Sequence, residues 1–193
     1  RDITERKEMD RMKSEFVSTV SHELRTPLTS IRGSLGLVTG GAVGEVPAQV
    51  KELIEIAGKN CERLITLVND ILDMEKIESG RMEYKFDLVD LDVLVEQAIR
   101  ANQAYGGEFD VSFVLTESEP DARIQGDGER LTQVMANLLS NAAKFSPPGQ
   151  EVEVSIARND GAYRVAVKDN GDGVPEEFRD RIFEKFSQAD SSD

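Results

Sequence analysis

Two long runs of apolar residues, spaced three or four positions apart, dominate the first half of the chain. They lie within residues 12–38 and 50–71, and this spacing predicts two amphipathic α-helices. In the second run the steps of four and three alternate, as at the a and d positions of a coiled coil, so this helix requires partner helices. Residues 39–47 contain glycines and Pro47, which end helices, and so short a connection predicts an antiparallel hairpin.

A hairpin of two helices buries too little apolar surface to be stable by itself. The economical arrangement is a four-helix bundle made by two copies of the chain, so we predict a homodimer. A monomeric hairpin that packs on the second half of the chain is the alternative.

The second half of the chain alternates helical and strand patterns. A helix-stopping break falls at Ser79-Gly80-Arg81. Beyond it, helical spacing predicts one helix with the apolar positions Leu88, Leu91, Leu94, Val95, Ala98 and Ile99. A second predicted helix has the apolar positions Leu131, Val134, Met135, Leu138, Leu139 and Ala142.

Three further stretches alternate apolar and polar residues, as strands with one buried face do. Their apolar positions are Val111, Phe113 and Leu115, then Val152, Val154 and Ile156, and then Tyr163, Val165 and Val167. Asn159-Asp160-Gly161, between the last two stretches, is a hairpin turn signal. Helices interspersed with hairpin strands predict an α+β fold for the chain, in which this half is an α/β sandwich with helices on one face of a mixed sheet.

Charge and composition exclude several classes of protein. The chain has 37 acidic and 23 basic residues, a formal net charge of −14, and no basic patch, so we do not expect it to bind nucleic acid. No apolar run reaches the ~18–20 residues of a membrane span, so no membrane segment is predicted. Cys61 is the only cysteine, so no internal disulfide can form and a reducing, cytoplasmic compartment is expected.

The only histidine, His22, lies off the apolar seam of the first helix. Its ring should project outward, beside the carboxylate of Glu23. A neutral imidazole can attack an electrophile with one ring nitrogen while a carboxylate accepts the proton of the other. Pro27 lies inside the same helix, where it removes a backbone hydrogen bond. The packing of a helical bundle does not require a proline at such a position. These features favour a reactive histidine over a merely solvated or structural one.

Amide side chains form a stripe along the predicted helix 131–144. Gln133, Asn137, Asn141 and Lys144 are spaced by four, four and three residues, which places them on one face, opposite the leucines. Asparagine is a poor helix former, so a merely solvated helix face does not explain well why this helix contains both Asn137 and Asn141. Amide oxygens can bind Mg²⁺ and a lysine can contact phosphate oxygens. The stripe therefore predicts a nucleotide site, with a solvated helix face as the alternative.

A glycine-rich segment, Asp169-Asn170-Gly171-Asp172-Gly173, follows the last predicted strand. Its glycines allow a ligand to approach the backbone closely, and Asp169 can accept a hydrogen bond from an amino group. Such pairs are by themselves turn signals. The spacing matches neither G-x-G-x-x-G nor G-x-x-x-x-G-K-[ST], so neither a Rossmann nor a P-loop arrangement would hold ATP here. A helix is expected to begin near Pro175.

Four ordered blocks resemble the sensor histidine kinases of two-component systems. Residues 22–28 resemble the phosphoacceptor box, residues 137–145 the asparagine box, residues 169–173 the first glycine box and residues 181–186 the phenylalanine box. The blocks follow the family's order and cover nearly the whole chain. Residues 1–7 resemble the end of a PAS sensor domain that continues into a signalling helix.

The resemblance implies a homodimeric four-helix bundle that carries the phosphorylated histidine, followed by an ATP-binding domain of the gyrase and Hsp90 type. The domains would be a signalling helix or linker (1–10), a dimerisation and histidine phosphotransfer domain (11–80) and a catalytic domain (81–193), with a hinge near residues 79–82. The implied activity is phosphorylation of His22 from Mg-ATP. The phosphoryl group would then pass to an aspartate of the receiver domain of a response regulator.

The resemblance also implies a role for each matching residue. His22 would attack the γ-phosphate with Glu23 as its base, and Thr26 would orient a water that dephosphorylates the response regulator. Asn141 would bind Mg²⁺, and Asn137 would lie at the metal and phosphates. The other contacts would come from Lys144 (phosphate), Phe145 (adenine pocket), Asp169 (adenine amino group), Gly171 and Gly173 (loop shape), and Phe183 and Phe186 (anchors of a mobile lid).

Alternatives to a kinase come from the end of the sequence and from single residues. The chain stops at residues 191–193, where the family has a flexible lid and a second glycine-rich box, so we expect the 81–193 domain to lack both. A non-catalytic dimeric phosphoacceptor or scaffold module is therefore the alternative function. A gyrase or Hsp90-type ATPase is disfavoured because Asn137 cannot serve as a general base.

A purely structural coiled coil explains neither the amide stripe nor the glycine-rich junction. The intact protein could be anchored to a membrane through a part that precedes this chain.

Overall fold

The computed structural model describes the backbone of residues 2–184 and 187, and the side chains of Met9, Met12 and the residues from 16 onward within those ranges. The chain divides into two compact units, Arg1–Glu83 and Tyr84–Asp193. Each unit is described by itself below. Within the described residues, no helix is both long enough and apolar enough to cross a bilayer.

The first unit is the predicted helical hairpin. Helix α1 spans Asp2–Thr39 and helix α2 spans Ala48–Glu78, and the two pack along each other. Helix α2 ends at the predicted break, where Gly80 adopts a φ of +66°. This left-handed conformation lets the amides of Arg81 and Met82 donate to the carbonyl of Lys76, at 2.9 and 3.1 Å, as in a glycine-terminated helix.

Apolar side chains of the hairpin fall into a buried and an exposed group. The hairpin interior contains Cys61, Val68 and Leu72 of α2. Other residues of the predicted seam are 37–49% exposed, namely Val20, Leu24, Ile31, Leu64 and Ile71. One chain therefore leaves part of its seam in contact with solvent.

The second unit is an α/β sandwich. Its elements are β1 (Asp87–Asp90), α3 (Leu91–Glu108), β2 (Ser112–Glu117), β3 (Arg123–Gly126), α4 (Gly128–Phe145), β4 (Glu151–Asn159), β5 (Ala162–Lys168) and a 3₁₀-helix (Glu176–Arg181). Strands β2, β4 and β5 form one sheet in that order, with β2 parallel and β5 antiparallel to β4. The prediction of a mixed sheet is therefore confirmed.

Helices α3 and α4 and one face of this sheet enclose the core of the second unit. Fully buried side chains include Val95 of α3, Leu139 of α4, and Val152, Val154 and Ile156 of β4.

The turn between β4 and β5 has positive φ at Asp160 (47°) and Gly161 (83°). A two-residue turn of this kind matches the twist of a β-hairpin.

Two short strands and the start of α3 differ from the predictions. Strands β1 and β3 pair antiparallel to each other in a separate two-stranded sheet, and four residues are too few for an alternation to be recognised. Leu88, predicted to belong to a helix, lies in β1 and is 63% exposed. The reason is Asp90, whose side chain accepts a hydrogen bond from the Val93 amide and begins α3 after it.

The apolar face of α4 is narrower than predicted. Met135, Leu139, Ala142 and Ala143 are buried, whereas Val134 and Leu138 are 52% and 43% exposed. The core contacts only the side of the helix that holds positions i, i+4, i+7 and i+8. Val134 and Leu138 lie at the edge of that side and remain in contact with solvent.

Candidate functional site

The predicted reactive histidine lies in the middle of α1 and faces solvent. The side chain of His22 is 74% exposed, which agrees with its predicted position off the seam. Its Nδ1 is 3.9 Å from Oε1 of Glu23, a separation longer than a hydrogen bond. The carboxylate is therefore adjacent to the imidazole without being bonded to it.

Side-chain hydrogen bonds support the helical turn that follows His22. Pro27 has no N–H, so the carbonyl of Glu23 lacks its usual helical donor. The carbonyl of His22, the residue before Glu23, accepts a hydrogen bond from the hydroxyl of Thr26 at 3.4 Å. Arg25 donates to Oδ1 of Asn69 on α2, from Nε at 3.2 Å and from Nη2 at 2.6 Å. The sequence analysis did not single out this bond between the two helices.

The amide stripe of α4 is exposed, with one exception. Asn137, Asn141 and Lys144 are all exposed, as expected for side chains that could bind a ligand. Lys144 extends over the ring of Phe145, with Nζ 5.4 Å from the ring centre, and this ring is 63% exposed. Gln133 differs, because it is half-buried and its Oε1 accepts a hydrogen bond from Nη1 of Arg130 at 2.9 Å.

Two hydrogen bonds shape the glycine-rich loop after β5. The carboxylate of Asp169 accepts a hydrogen bond from the amide of Gly171 through Oδ1, at 2.9 Å, which forms an Asx turn. Oδ2 lies on the other side of the carboxylate, where it could accept a bond from a ligand. Asn170 donates from Nδ2 to the carbonyl of Glu151 at the start of β4, at 2.8 Å. Gly173 adopts a φ of +78°, which favours glycine.

Gly171 brings this loop against the end of α4. A Cβ atom at Gly171 would lie 2.6 Å from the carbonyl oxygen of Phe145, a distance that real Cβ atoms do not show, and 3.0 Å from Oδ1 of Asp169, which is a tight contact. Only glycine can therefore occupy this position without a shift of the backbone. The structure thus brings together two predicted segments that are distant in sequence, the Asp169 loop and the last turn of α4 with Lys144 and Phe145.

Asp127 fixes the opposite end of α4. Its Oδ1 accepts a hydrogen bond from the Arg130 amide at 3.1 Å, and its Oδ2 accepts one from the Lys85 amide at 2.9 Å. The Lys85 amide, followed by that of Arg130, holds the pKa of this carboxyl below its usual range. The sequence analysis missed this residue, although an Asp directly before a helical pattern is an N-cap signal.

The predicted lid anchors remain predictions. Phe183, just after the 3₁₀-helix Glu176–Arg181, is 97% exposed, and Phe186 lies outside the described residues. The helix expected near Pro175 exists as this 3₁₀-helix.

In the described part of the chain, no three His, Cys, Asp or Glu side chains are grouped as a metal site. A metal here would require the Asn amide oxygens together with oxygens of the nucleotide, a donor set suited to Mg²⁺.

Both halves of the chain match known protein families. The model for the His Kinase A (phospho-acceptor) domain matches residues 12–80. The model for the histidine kinase-, DNA gyrase B- and HSP90-like ATPase matches residues 126–193. The first range contains His22, and the second contains the amide stripe and the Asp169 loop.

Curated relatives match both halves in one alignment. The chain is 33% identical over 193 residues to the sensor histidine kinase WalK of Bacillus subtilis, an alignment that covers 99% of the chain and 31% of WalK. It is 36% identical over 204 residues to drug sensory protein A of Synechocystis sp., covering 98% of the chain and 30% of that protein. The chain spans about a third of the length of these relatives.

Solved structures of histidine kinases are also similar. Full-length ShkA in complex with AMPPNP is 31% identical with a TM-score of 0.71, covering 91% of this chain and 37% of ShkA. The histidine kinase ThkA in complex with the response regulator TrrA is 26% identical with a TM-score of 0.59, covering 95% of this chain and 54% of that one. The chain therefore belongs to the sensor histidine kinases, with a phosphoacceptor domain followed by a catalytic domain of the ATPase type.

Proposed function

We propose that this chain phosphorylates His22 from Mg-ATP and then donates the phosphoryl group to an aspartate of a response regulator. The observation that carries the proposal is the exposure of the only histidine beside a carboxylate. The same chain also holds an exposed amide stripe that ends against the Asp169 loop. One segment thus offers a nucleophile, and the other offers donors for a nucleotide.

The chemistry at His22 requires an available lone pair and an acceptor for the ring proton. A lone pair of the imidazole forms the new N–P bond while the bond from the γ-phosphorus to the bridging oxygen breaks and ADP leaves. Glu23, whose Oε1 is 3.9 Å from Nδ1 of His22, would receive the proton from this nitrogen after a small movement. Nε2 would then be the nucleophile.

The nucleotide would lie between the last turns of α4 and the Asp169 loop. Asp169 would accept a hydrogen bond from the adenine amino group through Oδ2, because Oδ1 already accepts one from Gly171. The exposed ring of Phe145 would contact the base, and Lys144 would contact phosphate oxygens. Asn141 and Asn137 would hold Mg²⁺, which would neutralise charge on the phosphates. Gly173 would shape the loop around the nucleotide.

A homodimer is part of the proposal. The seam residues Leu24, Leu64 and Ile71 are 40–49% exposed in one chain, and a second hairpin would bury them in a four-helix bundle. Exposed apolar residues repeated along two helices favour a helical partner over open solvent.

The family and one relative support transfer to a response regulator. ThkA has been solved in complex with the response regulator TrrA. We infer that the receiver domain of a response regulator docks at the His22 turn of this chain. Thr26, one turn after His22, would position a water for dephosphorylation of that regulator, after its hydroxyl leaves the carbonyl of His22.

Labelling with the γ-phosphate of ATP tests this function. The full chain is incubated with Mg-ATP beside the variants His22→Ala and Thr26→Ala. We expect label that is labile in acid and stable in alkali, as an N–P bond is. It should be lost in His22→Ala and retained in Thr26→Ala, which alters a neighbouring polar residue of the same helix. Equal labelling of His22→Ala would refute the assignment of the phosphoacceptor.

A further inference from the structure

The two hydrogen bonds from Arg25 to Asn69 form a specific contact between α1 and α2. The residues are 44 positions apart, both are half-buried, and the two bonds fix the plane of the guanidinium. Arg25 follows His22 by three residues, so the two side chains leave the helix within about 60° of each other around its axis. A cation is therefore held in a defined orientation one turn from the phosphoacceptor.

The acceptor of this cation is a neutral amide, not a carboxylate. An arginine has five N–H donors, and these two bonds use two of them. Because the amide oxygen of Asn69 carries no net charge, this acceptor does not compensate the positive charge of the guanidinium. A guanidinium paired with Asp70, the next residue of α2, would lower the pKa of that carboxyl. Its pKa is instead raised, first by burial and then by the charge of Asp73.

A phosphoryl group on His22 needs such a charge. It would bring negative charge next to Glu23, on a chain whose formal net charge is −14. Charge-assisted bonds from a guanidinium to phosphoryl oxygens are among the stronger hydrogen bonds of proteins. A guanidinium already neutralised by a carboxylate would stabilise the phosphoryl group less.

We propose that Asn69 is a positioning residue for phosphoryl transfer, acting through Arg25. It holds the guanidinium one helical turn from His22, where its charge would be available to the phosphoryl group. The inference rests on the proposed function, because it requires His22 to be the phosphoacceptor. A simple structural link between the helices would make a different prediction, since an aspartate at position 69 would strengthen such a link.

Phosphoramidate tests the inference without requiring the ATP site. The imidazole lone pair forms a new N–P bond as the P–N bond of phosphoramidate breaks. Ammonia leaves with that electron pair, and the proton on the other ring nitrogen is released to solvent. The rate of phosphorylation of the full chain and the half-life of the phosphohistidine are measured for Asn69→Asp, Asn69→Leu and Arg25→Gln. Asn60→Asp and Asn60→Leu are matched controls, because Asn60 is exposed on the same helix.

We expect each of the three variants to lower the phosphorylation rate or the phosphohistidine half-life by about tenfold, the effect of losing one charged hydrogen bond. Asn69→Asp should do so while its thermal midpoint stays equal to or above that of the parent chain. The double variant Asn69→Asp/Arg25→Gln should be no worse than Arg25→Gln alone, because Asn69 acts through Arg25. Both Asn60 variants should match the parent chain.

Two negative results have different meanings. If phosphoramidate does not modify His22 of the parent chain, the proposed phosphoacceptor is wrong, and this inference falls with it. If the parent chain is phosphorylated and Asn69→Asp keeps the parental rate and half-life, the positioning role of Asn69 is refuted while the proposed function stands.

Discussion

Contacts of single residues determine whether the two segments of the proposed nucleotide site can meet. Gly171 lies so close to the end of α4 that a Cβ atom would stand 2.6 Å from the carbonyl oxygen of Phe145. The site therefore depends on the absence of a side chain as much as on Asp169 and the amide stripe. Sequence motifs identify such a glycine, but they do not show what it contacts.

A methyl group at this position should disturb nucleotide binding. We expect Gly171→Ala to weaken the affinity for Mg-ADP by about tenfold, because the loop or the end of α4 must shift. Isothermal titration measures the affinity. Gly107→Ala is the control, because nothing lies within 4 Å of its Cβ position. An unchanged affinity of Gly171→Ala would show that this contact does not shape the site.

Some residue-scale features followed from the sequence and others could not. The exposure of His22, Asn137 and Asn141 follows from helical periodicity, and the structure agrees. The bond between Arg25 and Asn69 joins residues 44 positions apart, so no local pattern indicates it. Long-range pairs of this kind depend on the rotation of two helices about their axes, which the sequence pattern leaves open.

At the scale of elements, the ends of α4 determine how the amide stripe is presented. The carboxylate of Asp127 accepts hydrogen bonds from the Arg130 amide in the first turn of α4 and from the Lys85 amide. One carboxylate thus connects the start of the second unit to the helix that carries the candidate nucleotide ligands. The last turn of the same helix meets the Asp169 loop.

Removal of this carboxylate should destabilise the second unit. We expect Asp127→Ala to lower the thermal midpoint, because two backbone amides lose their acceptor. Asp127→Asn should lose less, since its amide oxygen can still accept a hydrogen bond. Asp172→Ala, at an exposed loop position, is the control and should leave the midpoint unchanged.

The pH dependence of this effect has a defined sign. The pKa of Asp127 is lower in the folded protein than the ordinary aspartate value of 3.8, so its stabilising contribution is complete above that value. The contribution is lost as the pH falls through the folded-state pKa. The difference in midpoint between Asp127→Ala and the parent chain should therefore be constant near neutrality and shrink below pH 3.8. A difference that is constant throughout the acid range would contradict this explanation.

Elements with many periodic positions were predicted well, and short or partly covered ones were not. The hairpin of α1 and α2, the helix α4 and the pair β4–β5 each have a long pattern of apolar positions. Strands β1 and β3 have four residues each, and Leu88 was assigned to the following helix because its spacing fits both elements. The exposure of Val134 and Leu138 depends on how much of α4 the core covers, which periodicity does not determine.

At the scale of the whole molecule, the exposed seam of the hairpin predicts self-association. We expect the double variant Leu64→Asp/Ile71→Asp to change a dimer into a monomer, because two charges would be buried between the hairpins. Light scattering measures the mass, and circular dichroism measures the helix content. Val134→Asp is the control, since Val134 is 52% exposed in the second unit. A parent chain that is monomeric would refute the four-helix bundle.

The central claim is that the two units have separate roles in one reaction, with the acceptor on α1 and the nucleotide site at α4. The most direct measurement compares labelling from the γ-phosphate of ATP with Mg-ATP affinity in the parent chain, His22→Ala and Asn141→Ala. The account predicts that His22→Ala binds Mg-ATP normally without becoming labelled, and that Asn141→Ala loses both properties. Label retained in His22→Ala, or Mg-ATP affinity unchanged in Asn141→Ala, would contradict it.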